Sequence, residues 1–146
     1  MEISATPATS RLRTPEEHQL PAYLVERIYH AARLAGLPLA IETGDAGVYL
    51  EREGPLAGPT DHVVVSWHVP DHLFLTAMDQ PLQAPAPTFL NAVYQATDHV
   101  LTTLLDNSGL ETRHHPRTGA LTVLGITGPP PTPLNDTPPK PADQQA

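Results

Sequence analysis

Eight histidines and three Asp-His dipeptides are the residues here whose types could do chemistry. Imidazoles hold zinc or iron when three or four ligands converge at about 2.0–2.2 Å. His62 and His68 share a face of one expected strand, but at ~3.3 Å per residue they stand ~20 Å apart. His68 and His72 flank Pro70-Asp71. If residues 72–78 return as a strand, Val69 faces His72, and the two imidazoles point to opposite sheet faces. A helix over 70–78 weakens that objection. An Asp–His pair can orient an imidazole as a general base. In Asp61-His62, Asp71-His72 and Asp98-His99 the partners are sequence neighbours. Neighbours point to opposite faces of a strand, or about 100° apart on a helix. These residues are read as turn and surface groups, and no catalytic, cofactor or metal residue is assigned.

Other nucleophiles are scarce. The chain has no cysteine, which excludes a disulfide framework, a thiolate zinc site and a thiol nucleophile. Within residues 14–127 the serines are Ser66 and Ser108, neither in a G-x-S-x-G elbow. No G-x-G-x-x-G, P-loop, H-E-x-x-H or EF-hand pattern occurs. Arg113, His114, His115 and Arg117 form the one basic cluster. It is expected at a hairpin tip, where it reads as an anion or acidic-peptide patch that strengthens as the histidines protonate. The bland alternative is an edge strand guarded by its own charges.

The elements that must carry these residues follow from periodicity and punctuation. Thr14-Pro15-Glu16-Glu17 is a helix start with Thr at the N-cap and Glu at N3. A main helix runs from Pro21 to Ala35, with Leu24, Ile28, Ala31 and Ala35 as its buried stripe. Gly36-Leu37 stops it in Schellman fashion, and Pro38 prevents resumption. Residues 39–43 and 48–52 read as a hairpin about Gly44–Gly47. The β-branched run 61–69 is the strongest strand. Residues 72–78 read as a fourth strand, with a short helix from Pro70 as the rival. Residues 79–87 form a proline-rich loop, and a second long helix covers 88–107. A final hairpin, 111–115 and 120–126, turns through Pro116–Gly119.

The fold class expected is α+β: an antiparallel sheet of five to six strands with two main helices on one face, in the order α-β-β-β-(β)-α-β-β. Residues 1–13 are expected as a flexible tail, 14–127 as one domain, and 128–146 as a disordered proline-rich tail. The strand alternation places Val63, Val65, Trp67 and Val69 in the core, with Phe74 and Met78 from the return strand. The opposite face still carries Val64, Leu73 and Leu75 beside His62, Ser66 and His68. Apolar residues on both faces call for a second cover: the loop 79–87, a second copy or a partner. Val64, His68, Leu73 and Leu75 are therefore the expected interaction surface.

The order of elements is similar to that of the type III secretion chaperone-like scaffold, in which small acidic proteins dimerise and hold partner chains. The usual final helix is replaced here by the proline tail. The same helix–three-strand–helix order occurs in double-stranded RNA-binding domains. Charge argues against that use: 146 residues carry 8 Lys+Arg against 16 Asp+Glu, a formal −8. Nucleic-acid binding needs clustered cations, and an acidic surface favours a basic partner over an acidic one. No leader-like apolar segment and no run of ~18 apolar residues occurs, so a cytoplasmic protein away from membranes is expected. The function expected is protein binding, as an adaptor, chaperone-like or regulatory accessory, possible as a homodimer and without a cofactor. The alternatives are a small His/Asp acid–base or metal-dependent hydrolase, and a ligand-binding regulatory domain.

Overall fold

The computed structural model describes residues 12–54 and 58–134. Helix α1 (Pro15–His18) opens on a capping box. The Glu17 amide donates to the Thr14 hydroxyl at 3.4 Å, and the Thr14 amide donates to the Glu17 carboxylate at 3.0 Å. Two N–H groups that a first turn cannot pair internally are thus satisfied. Helix α2 (Ala22–Leu34) buries Leu24, Ile28 and Ala31 together with Val25, Tyr29 and Ala32. It ends at Ala35, which caps it and is exposed. Gly36, at φ 81, lets the Leu37 amide reach back to the Ala32 carbonyl at 2.9 Å.

Residues 39–43 are not a strand. Leu39 makes one parallel bridge to Val48, and α3 (Ala40–Thr43) is a single helical turn closed by left-handed Gly44. The Pro38 carbonyl accepts from the Val48 amide, and a Cβ at Gly47 would sit 2.5 Å from that carbonyl oxygen. Glycine at 47 permits this approach, so the segment leaves the ladder after one bridge.

The sheet has four strands among the described residues: β1 (Gly47–Glu51), β2 (Val63–His68), β3 (Leu110–His114) and β4 (Leu121–Ile126). All neighbours are antiparallel, in the order β1-β2-β4-β3. The class is α+β as expected; the count of five to six strands is corrected to four. The second missing strand is α4 (Asp71–Met78), a helix. Its Phe74 amide returns to the Pro70 carbonyl at 3.1 Å. Leu73 and Ala77, one turn apart, meet Val69 and Leu90. On a strand the two would share a face but stand ~13 Å apart, whereas one helical turn brings them together onto this small cluster.

Helix α5 (Pro85–Asp106) starts three residues before the expected Thr88. Its first-turn N–H groups have no helical acceptor, so Pro85 and Pro87 forfeit nothing there. At ~1.5 Å per residue it is ~33 Å long, and its two halves do different work. Leu101 and Leu105 join the main core with Leu24 and Ile28, Val48 and Leu50, Val63 and Val65, and Leu121 and Val123. The two long helices thus cover one face of the sheet. Leu90 and Val93, from the first half, pack instead with α4. Trp67, at the end of β2, touches both clusters and joins them.

The two halves of the chain have the same form. Helix α2 leads into hairpin β1–β2, helix α5 into hairpin β3–β4, and the second strands pair through Val64 and Thr122. Arg27 ties the halves together. Its buried Nη2 donates to the carbonyls of Ser108 at 2.9 Å, Gly109 at 3.4 Å and Gly128 at 2.6 Å. Gly109 sits at φ 77, and a Cβ there would lie 2.6 Å from the Gly128 oxygen and 2.8 Å from that guanidinium. Thr132 meets the His30 imidazole at 2.9 Å, so residues 128–132 lie against α2. The remaining tail positions, 1–11 and 135–146, fall outside the described residues.

Candidate docking surface

The histidines do not converge. His68 Nδ1 meets the Asp45 carbonyl at 3.0 Å, and His72 is exposed on α4. His62 and His115 approach one carboxylate, that of Glu53, at 3.3 and 2.9 Å. Two imidazoles on a carboxylate suggest a metal pair, but the hydrogen bonds refuse it. His115 Nδ1 accepts from the amides of Arg117 at 3.0 Å and Thr118 at 3.2 Å. Its proton therefore sits on Nε2, which donates to Glu53 and has no lone pair to offer a cation. Among the described residues no group of three His, Asp or Glu is placed to hold a metal ion.

Asp61 and His62 do pair, at 2.9 Å, although neighbours in a strand would diverge. Strand β2 begins only at Val63, so Asp61 belongs to the preceding loop and is free to turn back. The His62 hydrogen bond holds the exposed Asp61 carboxyl below its ordinary range. Asp98 pairs with His114, at 3.0 Å, and not with adjacent His99. Helix α5 and strand β3 bring that pair together, which no local spacing reveals. In the basic cluster, His114 and His115 are thus engaged by Asp98 and Glu53, while Arg113 and Arg117 are exposed.

The four residues expected to form an interaction surface do not share a sheet face. Val64 is 7 % exposed. Glu53 follows one edge strand and His115 follows the other, and their side chains meet at 2.9 Å. On β1 the face of Val64 holds a row of rings, with His18–Tyr49 centroids at 5.9 Å and Tyr49–His68 at 5.6 Å. His18 Nε2 lies 3.0 Å from the Tyr49 hydroxyl. The second cover of the sheet is therefore this chain's own. Leu73, partly buried, packs against the smaller cluster. His68 and Leu75 line a cleft of about 450 Å³ with Trp67, Val69, Phe74 and Tyr94.

Leu75 belongs to a wider apolar surface. It is 63 % exposed and Met78 60 %, with Phe74 beside Leu75 in the cleft; Leu82, at 84 %, and Phe89, at 59 %, are exposed in the connection to α5 and on its first turns. Phe74 and Met78, expected in the core, instead project from α4 because the segment is helical. The sequence signal lay in Asp71–Met78 itself. Leu73, Phe74, Leu75, Ala77 and Met78 exceed what one packing stripe of a two-turn helix can bury. Leu75 stands between two depressions: the Trp67 cleft on one side, and one lined by Thr76, Met78, Asp79 and Gln80 on the other. A third, of about 200 Å³, adjoins the first through Trp67 and Tyr94 and includes Glu51 and Asp98. Burial pushes the Tyr94 hydroxyl up from its usual value, so it stays neutral at the cleft wall.

Among the described residues no helix is long and apolar enough to cross a membrane. No protein-family model, no curated protein and no solved structure matches this chain.

Proposed function

We propose that this protein works by binding a protein partner, and that the partner docks on the apolar surface of α4 and the start of α5. One observation carries the reading. Helix α4 uses Leu73 and Ala77 to hold itself in place and leaves Phe74, Leu75 and Met78 at the surface, Leu75 sharing one depression with Phe74 and another with Met78. Contiguous apolar side chains of this size are characteristic of association sites. Their surroundings supply what a hot spot needs: a rigid aromatic, Trp67, at the base of a cleft and a projecting Leu75 at its wall. The acid–base reading has less to stand on. Asp98–His114 has a dyad's geometry, but the hydroxyl beside it, that of Thr102, is already bonded to the Asp98 carbonyl at 2.8 Å.

Affinity capture from the native host tests this with four full-length baits. Wild type and Leu34→Asp, an exposed change on α2, should retain the same partner. Leu75→Asp and Met78→Asp should lose it with unchanged circular dichroism. Equal capture by all four baits would place docking elsewhere.

A further inference from the structure

The Asp, Glu, Lys and Arg residues that line these depressions are all acidic. Asp71 lies in the Trp67 cleft, Asp79 in the depression beyond Leu75, and Glu51 and Asp98 in the adjoining one. No Lys or Arg occurs anywhere between residues 53 and 112, a stretch that includes all of α4 and α5. Helices α4 and α5 form much of the wall, and their interior N–H and C=O groups are already paired, while the end of β2 supplies Trp67 and His68. A helix satisfies its own backbone and packs through side chains, which suits a surface whose projecting groups are the α4 side chains Phe74, Leu75 and Met78.

We infer that the occupant of this surface is an amphipathic helix whose apolar stripe is flanked by Lys or Arg. The inference rests on the docking reading above and adds the chemistry of the partner. Its apolar stripe lies against Leu75, Met78 and Phe74, and its cations face Asp71 and Asp79. A second copy of this chain is a poorer occupant, because it would bring the same carboxylates against one another.

The test uses two peptides of roughly 18 residues, long enough to form a helix on a surface. One holds only Leu and Lys, the other only Leu and Glu, with the same apolar stripe. Trp67 is the single tryptophan and lines the cleft, so its fluorescence reports occupancy. The Leu/Lys peptide should shift it saturably, and the Leu/Glu peptide should not. Leu75→Gln, which leaves the charge unchanged, should remove the shift. Asp71→Asn with Asp79→Asn should weaken binding about three- to tenfold, the worth of two exposed ion pairs, and flatten its dependence on salt. Equal binding of both peptides, lost in Leu75→Gln, would overturn the charge inference and leave the docking surface standing. Leu/Lys binding indifferent to Leu75→Gln would mean general adsorption to an acidic protein and overturn it too. If neither peptide binds, the inference fails; a wild-type dimer that Leu75→Gln dissociates would then identify a second copy as the occupant.

Discussion

Arg27 and His18 show how single buried polar groups govern this structure. The Arg27 guanidinium donates through Nη2 to main-chain oxygens at the end of α5 and beyond β4. Arg27→Met keeps the apolar stem and removes the donor, leaving the Ser108 and Gly128 oxygens unpaired. A loss of about 2–3 kcal/mol is expected in urea unfolding, the scale of a hydrogen bond from a charged group. His18 acts through pH. Burial holds its imidazole below the ordinary 6.5, and the charge of Arg13 pushes the same way. As pH falls through 6.5 the unfolded chain takes up the proton before the folded one does. This contribution to stability is therefore complete above that pH and is lost on acidification toward the folded value. The urea midpoint should fall between about pH 7.5 and about pH 5.5, and less steeply in His18→Phe. Equal slopes would remove His18 from the account. Neither role is visible in sequence: Arg27 looks like a surface position beside Glu26, and its acceptors lie some 80 to 100 positions away.

Helix α4 is the element on which the functional reading turns. Taken as a strand, it would alternate Leu73 and Leu75 onto one face; as a helix it separates them, Leu73 inward and Leu75 outward. Leu73→Asp should therefore destabilise the protein by about 1–3 kcal/mol, since it sets a carboxylate against the apolar Val69–Ala77–Leu90 cluster. Leu75→Asp should stay within about 0.5 kcal/mol of wild type. Thermal melts of the two variants separate the cases, and similar losses would mean that Leu75 is also internal. Composition did not decide between strand and helix, because Asp71–Met78 is apolar enough for either. The caps elsewhere were legible: the Thr14–Glu17 box and the Gly36 stop stand where their residue types predict them.

At the scale of the molecule there are two cores of unequal size. The main one is built from both long helices and the sheet. The smaller rests on three buried residues, Val69, Ala77 and Leu90, with Trp67 joining the two. Little apolar burial holds α4 down, so its amides should exchange with solvent at lower free energy than those of α2 or β4. Native-state hydrogen exchange reads this directly; equal protection of α4 and the sheet would show a single cooperative unit. A weakly held helix can also adjust to a partner, which suits a docking surface. Charge is distributed just as unevenly, with the segment 53–112 supplying carboxylates and no Lys or Arg.

By itself the sequence determined the α+β class, the two long helices, the hairpin turn at 116–119 and the near absence of catalytic motifs. Those features depend on local chemistry: capping residues, left-handed glycines and periodic apolar positions act within a few residues of one another. The tertiary structure decided which face of α4 is free, that Val64 is buried, and which carboxylate each histidine meets. Such outcomes depend on contacts between distant segments, as in Glu53 with His115 or Leu90 with Ala77. Only the folded chain brings those partners together, and their packing energy then overrides the ambiguous local preference.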